Sequence, residues 1–143
     1  MNDFDAQVDE WIAKSERRIE AVFKIATQEL FYGVLKPARE GGRMRIDTGF
    51  LRSSFQASIG QPVLRLEPRP DGEASFTPDT GAISLTINQA DLGQTIFGMF
   101  TANYARPREY GSRGKPGDGF VLTNAARWQS FVNDAATTFR ASI

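Results

Sequence analysis

The chain has 143 residues, and its 17 basic and 17 acidic side chains leave no formal net charge. It contains neither cysteine nor histidine, which excludes disulfides, thiolate metal sites and catalysis by a histidine base or a cysteine nucleophile. The neutral balance also excludes the uniformly basic field of a typical free DNA-binding protein. The length predicts one domain over residues 1–143, and because no apolar run is long enough to span a membrane, we expect a protein made in the cytoplasm.

A long amphipathic helix is predicted from Asp3 to about Leu35. Apolar residues recur there at spacings of three and four and therefore share one face. Asp3 is suited to cap the start, and Pro37 followed by Gly41-Gly42 ends the helix. The favoured interpretation is a helix that covers the core. The alternative is that its length leaves a part free to pack on a neighbouring subunit.

The middle of the chain predicts a short helix and three strands. Thr48 is a candidate N-cap for the short helix. Residues 55–59 and 83–87 alternate apolar and polar side chains, which is typical of half-buried strands. Residues 95–102 are apolar on both faces, which predicts a central strand or one that pairs with another chain.

Two turn-rich segments and a final helix complete the prediction. Residues 67–81 are rich in Pro, Gly and Asp and predict a protruding loop. Residues 106–119 also predict a loop, with Asp118 as the cap of one C-terminal helix. The expected fold is α+β, an antiparallel sheet packed by the long N-terminal helix and the C-terminal helix.

Local basic clusters are the candidate contact residues for DNA or for an acidic partner. The alternative is ordinary solvated loop charge. No spacing predicts a catalytic residue, a metal site or a cofactor. The basic candidates are Arg39, Arg43, Arg45, Arg106, Arg108, Arg113 and Lys115.

Arg52 and Glu109 are each embedded among apolar or aromatic neighbours. An unpaired charge in such a setting costs several kcal/mol, so these two residues are predicted to pair, within the fold or across a subunit boundary. The alternative is that they are two independent surface charges.

Two short motifs carry a family resemblance. The first comprises Thr48, Gly49, Leu51, Arg52 and Ser53, and the second comprises Tyr104, Ala105, Glu109, Tyr110 and Gly111. Pro116-Gly117, then Gly119-Phe120-Val121 and Trp128, follow the second motif. In this order the motifs resemble the neck and tail-completion proteins of tailed bacteriophages, a family of small minor tail proteins. Residues 67–81 depart from the family pattern because they are longer and richer in proline.

The resemblance implies a structural virion protein and not an enzyme. Such proteins form rings at the head–tail junction, between the head connector or adaptor and the tail tube or terminator. The ring passes genomic DNA through its lumen without sequence preference, and no membrane is involved. Six copies are favoured and twelve are the alternative. Two other classes stay open: a small nucleic-acid-binding accessory protein and a carboxylate-based enzyme.

Overall fold

The computed structural model describes residues 3–72 and 74–141. Its first element, helix α1 (Asp3–Leu35), has 33 residues and is therefore about 50 Å long at 1.5 Å per residue. Its bounds confirm the predicted helix. Acidic residues in its first turn suit the positive helix end. Pro37 is extended and leads into a 3-10 turn at Ala38–Glu40.

The main sheet has two antiparallel strands. Helix α2 (Phe50–Ser53) leads directly into β1 (Phe55–Ile59), which pairs with β2 (Ile96–Phe100). The register sets Phe55 opposite Phe100 at one end of the pair. In the described sheet β2 has one strand partner, so the predicted central strand is wrong. Its pairing with another chain, the alternative, stays a prediction. The segment after β1 also approaches β2, since the backbone N–H of Val63 donates to Met99 Sδ at 3.0 Å.

Residues 83–87 are helical and not a strand. They belong to α3 (Thr80–Gln89), whose N-cap Asp79 accepts a hydrogen bond from the Ala82 N–H. Ile83 and Ile87 are buried and Leu85 is 59% exposed. Residues four apart share a face in a helix and also in a strand, so the two isoleucines fitted both patterns.

The C-terminal part contains more structure than predicted. Residues expected to form one loop include α4 (Ala105–Tyr110) and a hairpin of β3 (Gly111–Ser112) with β4 (Lys115–Pro116). The predicted final helix is two helices, α5 (Phe120–Ala125) and α6 (Trp128–Ala141). The fold is nevertheless α+β, with antiparallel strands, a long N-terminal helix and a C-terminal helix, and this confirms the predicted class.

The core consists of three apolar clusters along the second half of α1. The first joins α1 to β1 and α3, the second joins it to α2 and α5, and the third joins it to α6. Their buried members from α1 are Ala26, Phe31, Val34 and Leu35. Among the described residues, none from 3 to 19 belongs to a cluster, so the first half of α1 extends beyond the core.

The predicted loop at 67–81 ends before Thr80, where α3 begins, and its backbone N–H groups are anchored at Glu67 and Phe76. Arg69 Nη1 also pairs with Asp47 Oδ2 at 2.7 Å. The Glu67 N–H donates to the Thr101 carbonyl at 2.7 Å. The Phe76 N–H donates to the Thr48 carbonyl at 2.9 Å. Between these anchors, residues 68–72, 74 and 75 are exposed.

Candidate interaction surface

The two sequence motifs pack against each other although some fifty residues separate them. The ring centre of Tyr104 lies 6.4 Å from that of Phe50, and Leu51 shares a buried cluster with Ala102 and Phe120. Burial raises the pKa of the Tyr104 hydroxyl. The motifs therefore form one structural unit between α1 and α5.

The turn at Thr48-Gly49 sets the entry into α2. Gly49 has φ of +86° and is the N-cap residue, a conformation that favours glycine. A Cβ there would lie 2.2 Å from the Phe76 carbonyl oxygen. Thr48, the predicted N-cap, precedes the N-cap position by one residue. Its Oγ1 nevertheless accepts a hydrogen bond from the N–H of Phe50, the first residue of α2, at 3.3 Å. At the other end of α2, Ser53 Oγ donates to the Phe50 carbonyl at 2.9 Å.

Arg52 fixes α2 to the end of α1. Its Nε donates to the Leu35 carbonyl at 2.7 Å. The last carbonyls of a helix have no intrahelical donor, so a guanidinium is an effective partner for one of them. Arg52 therefore has a structural role at the C-terminus of α1.

Glu109 fixes α4 to the start of α5. It is 7% exposed, and Oε2 accepts from the N–H groups of Val121 and Leu122, both at 2.9 Å. A buried carboxylate at a helix N-terminus satisfies amides that otherwise have no partner. Within the subunit the predicted Arg52–Glu109 ion pair is wrong, because each residue instead holds a different helix end. Pairing across a subunit boundary stays a prediction.

Asp118 is the centre of a charged network and not a helix cap. Its buried carboxylate pairs with Arg45 Nε and, at 3.4 Å, with Arg108 Nη2. Its backbone carbonyl accepts from Arg43 Nε at 3.0 Å. Gly119 occupies the N-cap position of α5, and Glu109 supplies the acceptor there.

The two predicted basic clusters partly converge. Arg43, Arg45 and Arg108 meet around Asp118, and Arg108 Nη2 also donates to the Arg45 carbonyl at 2.6 Å. Lys115 lines an open depression together with Arg45 and Arg108. Since Asp118 offsets one of these charges, the convergent surface is only moderately positive.

The remaining basic candidates are exposed and stand apart from Asp118. Arg106 lies over the Tyr110 ring, 5.6 Å from its centre. Arg113 is at the tip of the β3–β4 hairpin with φ of +50°. Arg39 lies in the 3-10 turn after α1, and no contact in the described chain links it to the other basic residues.

Besides Leu64 and Leu66 after β1 and the separate Leu85 and Leu92, the described chain exposes apolar side chains on two further surfaces. Sequence reasoning located only one of these two. The first is on the outer half of α1 (residues 3–19), where Phe4 is 70%, Trp11 68% and Ile19 57% exposed. The second is beside Glu109, where Tyr110 is 62% and Leu122 is 54% exposed. The sequence predicted a loop up to Gly119 and one helix after it, and neither prediction indicated an exposed apolar surface. This second surface was therefore missed.

None of the helices in the described ranges has the length and apolar character needed to cross a membrane. Beside Glu109, the surface combines exposed apolar side chains with guanidinium and ammonium groups, which is suited to binding another macromolecule. Comparison with models of protein families, with curated protein sequences and with solved structures finds no match to this chain.

Proposed function

We propose that this protein is a structural component of the head–tail junction of a tailed bacteriophage, of the neck or tail-completion type. In this role it is a non-enzymatic ring protein, with six copies favoured over twelve. One side of the ring meets the head connector or adaptor, the other meets the tail tube or terminator, and genomic DNA passes through the lumen.

The observation that carries the proposal is the joint packing of the two motifs that resemble this family. Arg52 holds the end of α1 and Glu109 holds the start of α5. Both charged side chains are therefore hydrogen-bonded to the backbone within one subunit. A stable unit at this position leaves the basic loops and the outer half of α1 available to neighbours. Rings need two such contact regions on each copy.

Deletion of the gene from the phage or prophage that carries it tests this function. We expect unjoined heads and tails in electron micrographs, and restored virions when the gene is supplied in trans. The complemented particles should carry the protein, detected by mass spectrometry, as a ring density at the neck. Normal virions from the deletion strain would overturn the proposal.

A nucleic-acid-binding accessory protein is the second candidate. The convergence of Arg43, Arg45, Arg108 and Lys115 on one side of the molecule favours it. The neutral net charge and the buried Asp118 within this cluster weigh against it. Non-specific DNA binding already requires several cations that are free to contact phosphates. We therefore place this function second.

A further inference from the structure

We propose that the outer half of α1 in one copy docks on the surface beside Glu109 in the next copy, giving a head-to-tail contact. This inference rests on the proposed ring function and names the faces that build the ring. The acceptor surface is called the basic face. It comprises the apolar residues Tyr110, Val121 and Leu122 and the cations Arg106, Arg113 and Lys115.

The outer half of α1 presents one continuous apolar stripe. Phe4, Val8, Trp11 and Ile19 follow helical spacing and are all exposed. The stripe runs into an open groove between α1 and α6 whose lining is almost entirely apolar and includes Trp128. Large side chains exposed in a row on one helix face are typical of a protein contact.

The acidic side chains beside this stripe favour a partner surface with basic side chains. Residues 3–13, beside Phe4, Val8 and Trp11, carry four acids and no cation, namely Asp3, Asp5, Asp9 and Glu10. Lys14, Glu16, Arg17 and Arg18 follow toward Ile19, so the acidic border lies along the outer end of the stripe. An apolar stripe with an acidic border complements an apolar patch with a basic border. In the described chain, the basic face is such a patch. Leu64 and Leu66 are also exposed, but the cation between them, Arg65, pairs with Glu67 at 3.0 Å.

The basic face has the required composition. Residues 105–118 carry four cations, Arg106, Arg108, Arg113 and Lys115, against the acids Glu109 and Asp118. Asp118 pairs with Arg108, which leaves the three cations of the basic face. Glu109 is buried and its oxygens accept from backbone amides, so it adds little negative charge outside. Val121 and Leu122 are fixed beside it by those same amides and present exposed side chains.

The two faces lie at opposite ends of α1, so one copy is not able to satisfy both by itself. α5 packs where the helix ends, since a Cβ on Gly33 would be 2.4 Å from Asn124 Oδ1. Trp11 is 22 residues earlier, which is about 33 Å along the helix axis. A contact between unlike faces is heterologous, and it builds a ring when the repeated rotation closes. Pairing two outer halves with each other would instead bring like charges together.

Site-directed cross-linking tests the contact, because the chain has no native cysteine. Trp11→Cys and Leu122→Cys change exposed side chains and leave the core intact. A mixture of the two variants with a short bis-maleimide should yield cross-linked dimers, and each variant alone should yield none. A chain carrying both changes should yield a ladder of multimers. Leu85→Cys is the matched control, since Leu85 is equally exposed and lies on α3, outside both faces.

Charge reversal supplies the second readout. Arg113→Glu with Lys115→Glu in the Leu122→Cys chain should lower the cross-linking yield at least fivefold. Asp9→Lys with Glu10→Lys in the Trp11→Cys chain should restore the yield. Self-linking of Trp11→Cys, equal linking to Leu85→Cys, or no linking in the mixture up to the solubility limit would overturn the contact.

The outcome separates this contact from the proposed function. A neck ring lost on gene deletion, without the Trp11–Leu122 link, would keep the function and reject the contact. The specific link in a protein whose deletion leaves virions normal would keep the contact and reject the function.

Discussion

At the scale of single residues, several conspicuous side chains stabilise junctions between elements. The missing Cβ of Gly49 leaves room for the Phe76 carbonyl oxygen. Arg52 holds the end of α1, and Glu109 holds the start of α5. None of these contacts joins residues that are neighbours in sequence. The sequence therefore indicated which residues matter, and only the three-dimensional structure shows what each one contacts.

Gly49→Ala should lower the free energy of unfolding by about 2–4 kcal/mol, since it combines left-handed strain with a backbone collision. Gly60 is the matched control, because it has φ of +84° and open space around its Cα. Gly60→Ala should cost only the strain, about 1–2 kcal/mol. Urea unfolding of both variants measures the difference. Equal losses would show that the Phe76 contact has no energetic importance.

Arg52 and Glu109 should act independently. Removal of a charge-assisted hydrogen bond costs about 1.5–3 kcal/mol, so Arg52→Ala and Glu109→Ala should each destabilise the fold by that amount. Because the two residues share no partner, the double variant should be additive within about 0.5 kcal/mol. Glu109→Gln, which keeps one acceptor oxygen, should fall between Glu109→Ala and the unchanged protein. A coupling above about 1 kcal/mol in the thermal or urea unfolding cycle would mean that they interact after all.

At the scale of elements, sequence patterns predicted α1, β1 and β2 but failed on α3. Ile83 and Ile87 fit either period, and Leu85 distinguishes them, since it is exposed in the helix and would be buried in a strand. Asp79, read as a turn residue, was the available signal because it is also a strong N-cap. The break between α5 and α6, and the exposed apolar side chains of α5, depend on tertiary packing that no periodicity encodes.

The segment from Glu67 to Phe76 should show protection only at its anchors. The Glu67 and Phe76 amides donate to backbone carbonyls and should exchange slowly. Amides of the exposed residues between them should exchange at nearly unfolded rates. Hydrogen exchange followed by NMR resolves the individual amides. Uniform protection across the exposed stretch, or rapid exchange at both anchors, would contradict this arrangement.

At the scale of the whole molecule, zero net charge and the convergence of Arg43, Arg45, Arg108 and Lys115 predict weak DNA binding. The subunit should bind duplex DNA with a dissociation constant of about 1 µM or weaker at physiological salt, without sequence preference. With about four phosphate contacts, log K should fall against log salt with a slope of about −3.6. Arg45→Glu with Lys115→Glu should reduce both affinity and slope, whereas Arg140→Glu, on α6, should not. Fluorescence anisotropy measures these values, and nanomolar sequence-dependent binding would favour the accessory-protein function.

The length of α1 has a consequence for how copies assemble. No described residue of its outer half belongs to a buried apolar cluster, yet this half continues a packed helical segment that has already met the nucleation cost. The outer half then exchanges between a helical and a frayed state. A partner that binds only the helical state has an association constant multiplied by the fraction of molecules that are helical.

Ala6 is exposed and lies on the side of the helix opposite the apolar stripe. Ala6→Gly should therefore reduce the free energy of helix formation in the outer half by about 1 kcal/mol without removing a contact of the stripe. The substitution should weaken self-association up to about fivefold in analytical ultracentrifugation. Unchanged association would mean that the outer half is fully helical before docking. The helix propensity of an exposed residue outside the proposed contact would thus affect the affinity of assembly.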